Sequence, residues 1–589
     1  MPSKLVIDGF DILDGGMDDA TPPEAAVMVN RTTLSINCSH RGGYPFPRPG
    51  LRKWELDFQG VTAVETAVTT EMFQRFSVYY PDSGPPKFFG SIGGHMYTIE
   101  PYNGFRVNEV SIPGDYDNSF LPWSYYWQCE KWMIKQNAQD RPIIFDGASC
   151  RRPAADEIRG GSCGVYAWGR NWYASADGYS YRATDIVWGN GNREDVLKET
   201  ENAYLNGGGD FVIPSTYGPI RAMCVPGMVD NSLGQGPVMV LAENAVFTNQ
   251  SPVDRDTWQN LTYPLQVVSL SNYGGLGDGN LCLVNGDVFY RSVDGYRSYV
   301  SARRDFGTWG NTSISREISS LIGEDNPGLL EYGSMVLWDN RVISTAIPRL
   351  QNGLGITHSG LVVIDFDVIS TMKFKDPPAW EGLWTGLDFH QVLVLKHDND
   401  ERCFVFARST RGLLELWEFD PDKIDDGDEV PIEWTFVPRQ LTFGNKWQLK
   451  RLDGAELFID ELSGTAAFDI KYRTDDNPLD YDWATFSECS TMTTCPTGTC
   501  EVPKTLQKQY RTGLALPMPQ DICITSTGRS SRSGYKFQPV LTISGSVRVK
   551  GMRLFANVDS EAKAISCGNE PCKILEGCTI NPYTHRADA

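Results

Sequence analysis

Residues 291–305, RSVDGYRSYVSARRD, repeat a pattern that also occurs at residues 174–185, ASADGYSYRATD. Both stretches contain Ser-x-Asp-Gly-Tyr, and aromatic and basic residues follow it. An adjacent Asp-Gly pair is typical of a type I′ hairpin turn, in which both central residues have positive φ. We therefore predict that both stretches form hairpins within one repeated β-sheet fold, and that their tyrosines pack on neighbouring strands. The turn and packing residues are Asp177, Gly178, Tyr179, Asp294, Gly295 and Tyr296.

A catalytic interpretation of these hairpins is less favourable. Sialidases carry a repeated Ser-x-Asp-x-Gly-x-x-Trp hairpin, whereas here Asp and Gly are adjacent and no Trp follows at that place. The Gly-x-Ser-x-Gly match around Ser162 lacks the strand and helix of a nucleophile elbow, so we expect a Gly-rich loop. The six histidines form no metal-binding pair of the His-Glu-x-x-His kind. We predict no enzyme, and no catalytic, cofactor-binding or metal-binding residue.

From about residue 45 to residue 450 the chain is a succession of short apolar segments bounded by Gly, Asn, Asp or Pro, which predicts strands and tight turns. Units of strand, turn and strand recur about every 40 to 55 residues, the length of a four-stranded propeller blade. The fold class predicted is therefore all-β, with a β-propeller of about six to eight blades over 45–450 and an N-terminal arm over 1–44. One amphipathic helix is predicted, over 313–325, with Thr312 or Ser313 as its cap.

The C-terminal part has a different pattern. Stretches such as AAFDIKYRTDD (466–476) and GYKFQPVLTISG (534–545) alternate apolar and polar residues with period two. This alternation predicts an antiparallel β-sandwich over 451–589 with a Cys-rich tail. Disulfide bonds and unpaired thiols both remain open for the cysteines of this part, which are Cys489, Cys495, Cys500, Cys523, Cys567, Cys572 and Cys578.

The charge balance limits the classes of partner. The chain has 53 basic and 74 acidic residues, for a formal net charge of −21. A protein that binds nucleic acid through phosphate contacts needs a basic face, so tight binding of DNA or RNA is not expected. No run of about 18 apolar residues and no secretory signal pattern is present, so no membrane association is predicted.

Four stretches together resemble tail proteins of bacteriophages, specifically the tail hub or nozzle of short-tailed phages and related DNA-stabilisation proteins. They are NCSHRGGYPFPRPG (37–50), RPIIFDGASCRRP (141–153), GYRSYVSARRDFGTWGNTSISREI (295–318), and the pair FDIKYRTDDNPLDYDW (468–483) with GYKFQPVLTISGSVRVKGMRLFA (534–556). The resemblance implies a propeller subunit in a ring, commonly of six copies, around the channel through which DNA leaves the capsid. This chain is shorter than the best-known nozzles and has a Cys-rich C-terminus, so a neighbouring tail or baseplate piece remains open.

The expected function is therefore a structural virion protein of a phage tail, which contacts itself, adjacent tail or adaptor proteins, and passing DNA without specific binding. An acidic lumen would repel phosphates and let DNA move. The alternative is a carbohydrate-binding or carbohydrate-cleaving propeller at a host surface. The aromatic stretch PWSYYW, with Trp123, Tyr125 and Tyr126, fits either interface anchors or residues that fill gaps between blades.

Overall fold

In the computed structural model, strands predominate, which confirms the all-β class. None of the helices among the described residues is long and apolar enough to cross a membrane. The residues that the structure describes are 4–21, 28–187, 191–200, 210–227, 237–249, 265–266, 273–284, 286–299, 313–367, 379–423, 425–427, 430–475, 477–490, 511–524 and 529–558.

The N-terminal segment supplies strands to two distant parts of the molecule. Its elements are β1 (Lys4–Phe10), β2 (Thr32–Ile36), β3 (Cys38–Ser39), β4 (Phe46–Pro47), β5 (Gly50–Trp54) and helix α1 (Thr62–Thr70). Gly9 fixes the first of these strands closely against its partner, because a Cβ at this position would lie 2.2 Å from the carbonyl oxygen of Met552.

Four antiparallel sheets of four strands follow in chain order. Sheet I consists of β6 (Phe73–Tyr79), β7 (Lys87–Ile92), β8 (His95–Glu100) and β9 (Arg106–Glu109). Sheet II consists of β10 (Tyr125–Cys129), β11 (Trp132–Gln136), β12 (Ile143–Phe145) and β13 (Cys150–Arg151). Sheet III consists of β14 (Gly161–Ala167), β15 (Arg170–Ser175), β16 (Ser180–Ala183) and β17 (Asp210–Val212). Sheet IV consists of β18 (Ile220–Cys224), β19 (Val238–Ala242), β20 (Val246–Asn249) and β21 (Leu265–Gln266).

Three further sheets complete the series. Sheet V consists, among the described residues, of β22 (Leu281–Val284), β23 (Asp287–Ser292) and β24 (Gly295–Ser298), and the short helix α2 (Ser319–Gly323) follows it. Sheet VI consists of β25 (Met335–Trp338), β26 (Arg341–Gln351), β27 (Gly355–Asp365) and β28 (Ala379–Trp384), and backbone pairing joins it to sheet VII at His358 and Phe389 and, through β2, to the C-terminal strands. Sheet VII consists of β29 (Asp388–His397), β30 (Asp400–Arg408) and β31 (Leu414–Asp420), and β5 from the N-terminal segment pairs with β31 as its fourth strand.

The seven sheets close into a propeller-like ring. The first strands of neighbouring sheets contact one another, except that β18 of sheet IV contacts the 3-10 turn Asp278–Asn280 immediately before β22 of sheet V, and β29 of sheet VII contacts β6 of sheet I. Each of the seven boundaries between neighbouring sheets holds its own cluster of buried apolar side chains. At the closing boundary, for example, Phe73 and Phe76 of sheet I stack against Phe406 of sheet VII. Burial of apolar surface between the sheets therefore stabilises every junction of the ring, including the one that joins its ends.

The C-terminal part is organised by two long antiparallel strands that pair over most of their length. Its strands are β32 (Asp425–Asp426), β33 (Val430–Pro431), β34 (Glu433–Pro438), β35 (Lys450–Thr474), β36 (Tyr481–Cys489), β37 (Arg511–Leu516), β38 (Cys523–Ile524), β39 (Arg529–Ser530), β40 (Ser533–Gly534) and β41 (Phe537–Val558). The ladder between β35 and β41 is irregular around Glu461, which has a φ of 50°, and Gly545, which has a φ of 111°. One half of the pair lies between β1 and β37, and the other lies between β34 and β36. A single apolar core joins both halves.

The N-terminal segment connects the two parts of the molecule. Strand β1 pairs with β41, β2 pairs with β34 and also contacts β28 of sheet VI, and β5 belongs to sheet VII. The approach of β2 to β28 requires Gly382, which has a φ of 89° and whose Cβ would lie 2.1 Å from the carbonyl oxygen of Ser35. The predicted boundaries at residues 44 and 450 remain predictions.

Both Ser-x-Asp-Gly-Tyr stretches form hairpins, but the predicted turn type is wrong. Neither Asp177 nor Asp294 has a positive φ, and Ser292 pairs with Gly295, so Val293 and Asp294 form the second turn. Turns with two positive φ angles occur instead at Asp339 and Asn340 and at Asp398 and Asn399. Sequence alone did not distinguish these positions, because Asp and Asn are accepted by several turn types.

Three other local predictions need correction. Tyr179 is exposed rather than packed, whereas Tyr296 is buried as predicted. Ser162 lies in strand β14 rather than in a loop, where the register to β15 shifts between Gly161 and Gly164. The predicted helix over 313–325 is reduced to a single 3-10 turn and α2, because the carboxylate of Asp19 accepts the backbone N–H groups of Ser320 and Leu321 and begins the helix there. The predicted cap Thr312 lies outside the described residues.

Candidate functional site

An ion-pair cluster crosses the centre of the ring of sheets. Arg75, from β6 of sheet I, places its Nη1 2.5 Å from Oδ2 of Asp278, which precedes sheet V. The Arg75 guanidinium also lies 4.5 Å from the centre of the Trp123 ring, and the Trp123 indole N–H donates to Oδ1 of Asp278 over 3.2 Å. One cation, one aromatic ring and one carboxylate thus connect sheets I, II and V.

A second group of charges completes this central cluster. Arg221 of β18 donates to Glu331 over 2.8 Å and to Glu243 over 3.2 Å. A cavity of only about 120 Å³ remains beside these residues, with Trp123 and Tyr332 in its wall. Burial and the neighbouring Glu331 raise the pKa of Tyr332 to about 12, so its hydroxyl stays protonated near neutral pH. The cluster therefore joins non-neighbouring sheets of the ring by charge pairs, and the Tyr332 hydroxyl within it is not ready to act as a base.

We expect Arg75→Met to lower the free energy of unfolding by about 1–3 kcal/mol, because Asp278 would keep its charge in a mostly buried position without its cation. Urea unfolding followed by tryptophan fluorescence measures this change. Arg106→Met is the matched control, since Arg106 is exposed on β9 of the same sheet. Equal effects of the two substitutions would contradict a role for the central cluster in holding the sheets together.

A second cluster buries charges where the N-terminal segment meets sheet VI. Arg41 donates from Nε and Nη2 to the two carboxylate oxygens of Asp365, each over 2.9 Å, and Asp365 is fully buried. Glu381, which is 1% exposed, accepts from Arg341 Nε over 3.1 Å, from the Ser39 hydroxyl and from the backbone N–H of His40 over 3.3 Å. Burial raises the pKa of Glu381, and the positive charge of Arg341 opposes that rise. Two arginines and two carboxylates thus form a buried joint.

The same joint contains a serine–histidine pair, but its geometry does not fit nucleophilic catalysis. Ser35 Oγ lies 3.0 Å from His40 Nε2, and both residues are buried. A catalytic triad needs a carboxylate at the other ring nitrogen and access for substrate, whereas His40 Nδ1 has no hydrogen-bond partner. Burial lowers the pKa of His40 to about 4, so the ring is neutral at pH 7. The pair therefore acts as a buried polar contact.

A third charged joint lies beside sheet II. Lys135 of β11 is fully buried and contacts Asp117, which also lies 2.9 Å from Arg152 Nη1. Burial lowers the pKa of Lys135, while the charge of Asp117 opposes that change. Arg48 of the N-terminal segment forms a similar contact with Asp426. Its two terminal nitrogens lie 3.0 Å and 2.6 Å from the carboxylate oxygens of Asp426.

An open groove of about 620 Å³ is formed by the connections of sheets I and II. Several of its polar groups already have partners in the protein: the Tyr79 hydroxyl donates to the Lys131 carbonyl over 2.8 Å, and Lys87 Nζ donates to the Gly147 carbonyl over 2.6 Å. The ring of Tyr102, which is 37% exposed, and the carboxylate of Asp82 also line it. An aromatic face beside carboxylate and amide groups is chemically suited to a sugar.

A glycosidase needs two carboxylates that face one another across a sugar, and the acidic residues that could supply them do not converge on one cleft. Asp365 and Asp367 both contact Arg41, Asp185 accepts from Thr200, and Asp388 lies at the start of β29. Glu317 is partly exposed beside the N-terminal segment, where its backbone carbonyl accepts the N–H of Asp19 over 2.7 Å, and Asp305 lies outside the described residues. Of the aromatic stretch, Tyr126 is buried and Trp123 belongs to the central cluster, which favours the interpretation that these residues fill gaps between sheets.

The remaining sequence candidates are dispersed. His40, His358 and His390 are buried, while His95 contacts Glu109 and His397 contacts Asp398. Cys489 is partly exposed. Most of the Cys-rich tail lies outside the described residues. Within the described part of the chain, no group of three or more His, Cys, Asp or Glu side chains could hold a metal ion.

Comparison with known proteins gives similarity to solved structures alone. No family model and no curated protein matches the chain. The similar structures include a streptogramin B lyase, with a TM-score of 0.33 and 9% identity over 63% of this chain and 97% of that chain. They also include YCF48 bound to D1 peptide, with a TM-score of 0.33 and 10% identity over 60% of this chain and 94% of that chain. These similarities are too distant to carry an activity or a ligand to this protein.

Proposed function

We propose that residues 50–420 form a seven-bladed β-propeller in which β5 completes the last blade, and that the C-terminal part is an antiparallel β-sandwich. Seven sheets with seven apolar boundaries support the blade count. The two halves of the long strands, which share one core, support the sandwich.

We further propose that the protein is a structural component of a phage tail, a nozzle or hub subunit of the virion that forms a ring for genome retention and ejection. One observation supports this proposal: stretches that resemble tail proteins supply charged residues of the buried joints. The stretch 37–50 supplies Arg41 and Arg48, and the stretch 141–153 supplies Arg152. Such joints suit a rigid building block of a permanent assembly.

We propose that any DNA channel lies outside a single subunit. The ion pair of Arg75 and Asp278 joins two sheets that are not neighbours in the ring, and the cavity of about 120 Å³ nearby is far too small for a duplex, whose major groove alone is about 12 Å wide. A channel would therefore lie between copies, commonly six by the resemblance, and adjacent tail or adaptor proteins would contact the ring at its ends. With a net charge of −21 on each copy, repulsion of phosphates would let DNA pass without specific binding.

Electron microscopy and mass photometry of the purified full chain test this function. We expect closed rings of defined copy number, and DNA that is not retained by them at any salt concentration between 50 and 200 mM, a range over which phosphate-mediated binding changes by orders of magnitude. A protein that stays as a single copy at all concentrations, or that retains duplex DNA strongly at low salt, contradicts the proposal.

The alternative function is a carbohydrate-binding or carbohydrate-cleaving propeller at a host surface, and the groove of about 620 Å³ is the observation that favours it. Its test is binding of host-surface polysaccharide by the original protein and by Tyr102→Ala, which removes the exposed aromatic face. Saccharide binding that Tyr102→Ala weakens at least tenfold would support the alternative over the tail ring.

A further inference from the structure

The cavity of about 120 Å³ at the centre of the ring has a largely aromatic wall. Trp123, Tyr125 and Tyr332 line it, and the ring centres of Trp123 and Tyr332 lie 5.8 Å apart with their planes at 64°. Trp123 and Tyr125 lie at the start of sheet II, whereas Tyr332 ends the 3-10 turn Pro327–Tyr332 before sheet VI. The faces of aromatic rings carry partial negative charge and attract cations. The wall of this cavity therefore favours a positively charged ligand.

The charged groups beside the cavity carry one excess negative charge. Arg75 pairs with Asp278, and Arg221 pairs with both Glu331 and Glu243, so three carboxylates accompany two guanidinium groups. Both terminal nitrogens of Arg221 donate to these two glutamates, which leaves this arginine poorly placed to bind an anion. A cation in the cavity would instead balance the excess charge.

Backbone strain at Arg75 supports a binding role for this part of the ring. Arg75 has a φ of 99°, which residues other than glycine rarely adopt, and it lies where the register of β6 against β7 shifts between Phe73 and Phe76. This irregularity places the guanidinium 4.5 Å from the centre of the Trp123 ring and so fixes that ring in the cavity wall. Strained backbone of this kind is found preferentially at binding and catalytic sites.

The size and the lining of the cavity limit the kind of cation that fits. A volume of about 120 Å³ accommodates one small head group, and the side chains of Arg221 and Glu331 are 32% and 35% exposed, so solvent reaches the cavity. Apolar contacts come from Leu121, Pro122 and Leu276. A metal ion would need several closely spaced ligands, and within the described part of the chain no such group is present. An alkylated ammonium group matches both the apolar and the aromatic surfaces.

We propose that this cavity is a binding site for the head group of a small organic ammonium ion. The rings of Trp123, Tyr125 and Tyr332 contact the alkyl groups of the ion, and the carboxylate of Glu331 balances its charge. The site goes beyond the proposed tail function, because it lies within one subunit and does not depend on a ring of subunits. Its walls come from sheets II and IV and from the segments that precede sheets V and VI, so a bound ion should hold these sheets together.

Choline and its uncharged isostere 3,3-dimethyl-1-butanol test the charge preference of the site. Saturation-transfer NMR of their methyl protons with the purified full chain measures both affinities. We expect choline to bind with a dissociation constant of about 1 mM or below, at least about tenfold more tightly than the alcohol, because only the cation gains from the aromatic faces and from the excess negative charge. Choline should also raise the melting temperature above that in sodium chloride of equal concentration, since it binds the folded protein.

Two isosteric substitutions locate the bound ion. Glu331→Gln keeps an acceptor for Arg221 but removes the charge at the cavity, so choline binding should weaken at least about tenfold. Glu243→Gln is the matched control: Glu243 pairs with the same arginine but does not line the cavity, and its replacement should change the affinity by less than about threefold. Tyr332→Leu removes one aromatic face and should also weaken binding at least about tenfold, which provides a second variant if Glu331→Gln does not fold.

Three results overturn the inference: choline that does not bind, an alcohol that binds as tightly as choline, or equal weakening by Glu331→Gln and Glu243→Gln. The last result would mean that choline responds to the general charge of the protein rather than to this cavity. Each of these measurements uses dilute protein without DNA, so the outcome is independent of whether the chain forms rings. Rings without choline binding would leave the tail proposal standing while this site fails.

Discussion

Replacing Arg341 by alanine is expected to lower the free energy of unfolding by about 3–5 kcal/mol at pH 7. Arg341 is 3% exposed, and its Nε lies 3.1 Å from Oε2 of Glu381, which is 1% exposed. Without the guanidinium, the carboxylate of Glu381 would remain buried with only the Ser39 hydroxyl and the His40 N–H as hydrogen-bond donors. An uncompensated buried charge is far more costly than the loss of a surface ion pair.

The pH dependence of this variant gives a second, independent readout. Burial already raises the pKa of Glu381, and loss of Arg341 removes the charge that opposes the rise. In the variant the folded protein should therefore bind a proton at Glu381 more readily, and its deficit in stability relative to the original chain should be smaller at pH 5 than at pH 7. A deficit that does not change between these pH values would show that Glu381 is not the group left without a partner.

Arg349→Ala is the matched control for Arg341→Ala, because Arg349 lies on the same strand β26 and is exposed. Its replacement should change the free energy of unfolding by no more than about 0.5 kcal/mol. Urea unfolding of the three proteins at both pH values provides the comparison. Similar losses in the two variants would contradict the buried joint and point instead to a general effect of charge on the strand.

The local elements of this fold could be predicted from the sequence, but their partners could not. Alternating apolar residues and turn residues identified the strands of the hairpins, because periodicity reports which face of a strand is buried. The same periodicity gives no information about which distant segments pair, such as β5 with β31 or β1 with β41. These pairings depend on tertiary packing across several hundred residues, so the strands supplied by the N-terminal segment were not predicted.

One feature of the sequence indicates the buried joint between the N-terminal segment and sheet VI. Glu381 lies within the apolar strand AWEGLW, and an acid in such a position is rarely fully buried unless it is paired. Its hydrogen-bond donors could not be found by spacing, since Arg341 is 40 residues away and Ser39 and His40 are more than 300 residues away. The stretch around Arg41 resembles tail proteins in sequence, but its ion pair with Asp365 can be recognised only in the folded structure.

Acid is expected to destabilise this protein between about pH 6.5 and pH 5, by about 2 kcal/mol for each of three buried histidines. Burial lowers the pKa of His40 and His358 to about 4 each, from an ordinary value of 6.5. Burial, together with the positive charge of Arg408, lowers the pKa of His390 to about 3. Because these values lie below those of the unfolded chain, the unfolded state binds more protons in this range, and stability is lost as the pH falls.

The contacts of His390 and His358 explain why their imidazole rings stay neutral. His390 Nδ1 lies 2.7 Å from the Ile356 carbonyl, and its Nε2 accepts from Arg408 Nε over 2.9 Å, so protonation would place two cations in contact. His358 Nδ1 lies 3.2 Å from the Phe389 carbonyl within the same buried region.

Buried carboxyl groups change the stability in the opposite direction to the histidines. Burial raises the pKa of Glu317, Asp325 and Glu381, so their protonation favours the folded state as the pH falls. The carboxyl groups therefore reduce the net loss of stability that the histidines cause as the pH falls.

His358→Gln separates the histidine contribution from that of the rest of the chain. An amide can still donate to the Phe389 carbonyl but does not titrate, so the variant should lose about 2 kcal/mol less than the original chain between pH 7 and pH 5. Urea midpoints at pH 8, 7, 6 and 5 measure both curves, and the comparison depends on their slopes rather than on the absolute stability of the variant. Parallel curves would mean that His358 is already charged or already exposed in the folded protein, against the burial that lowers its pKa.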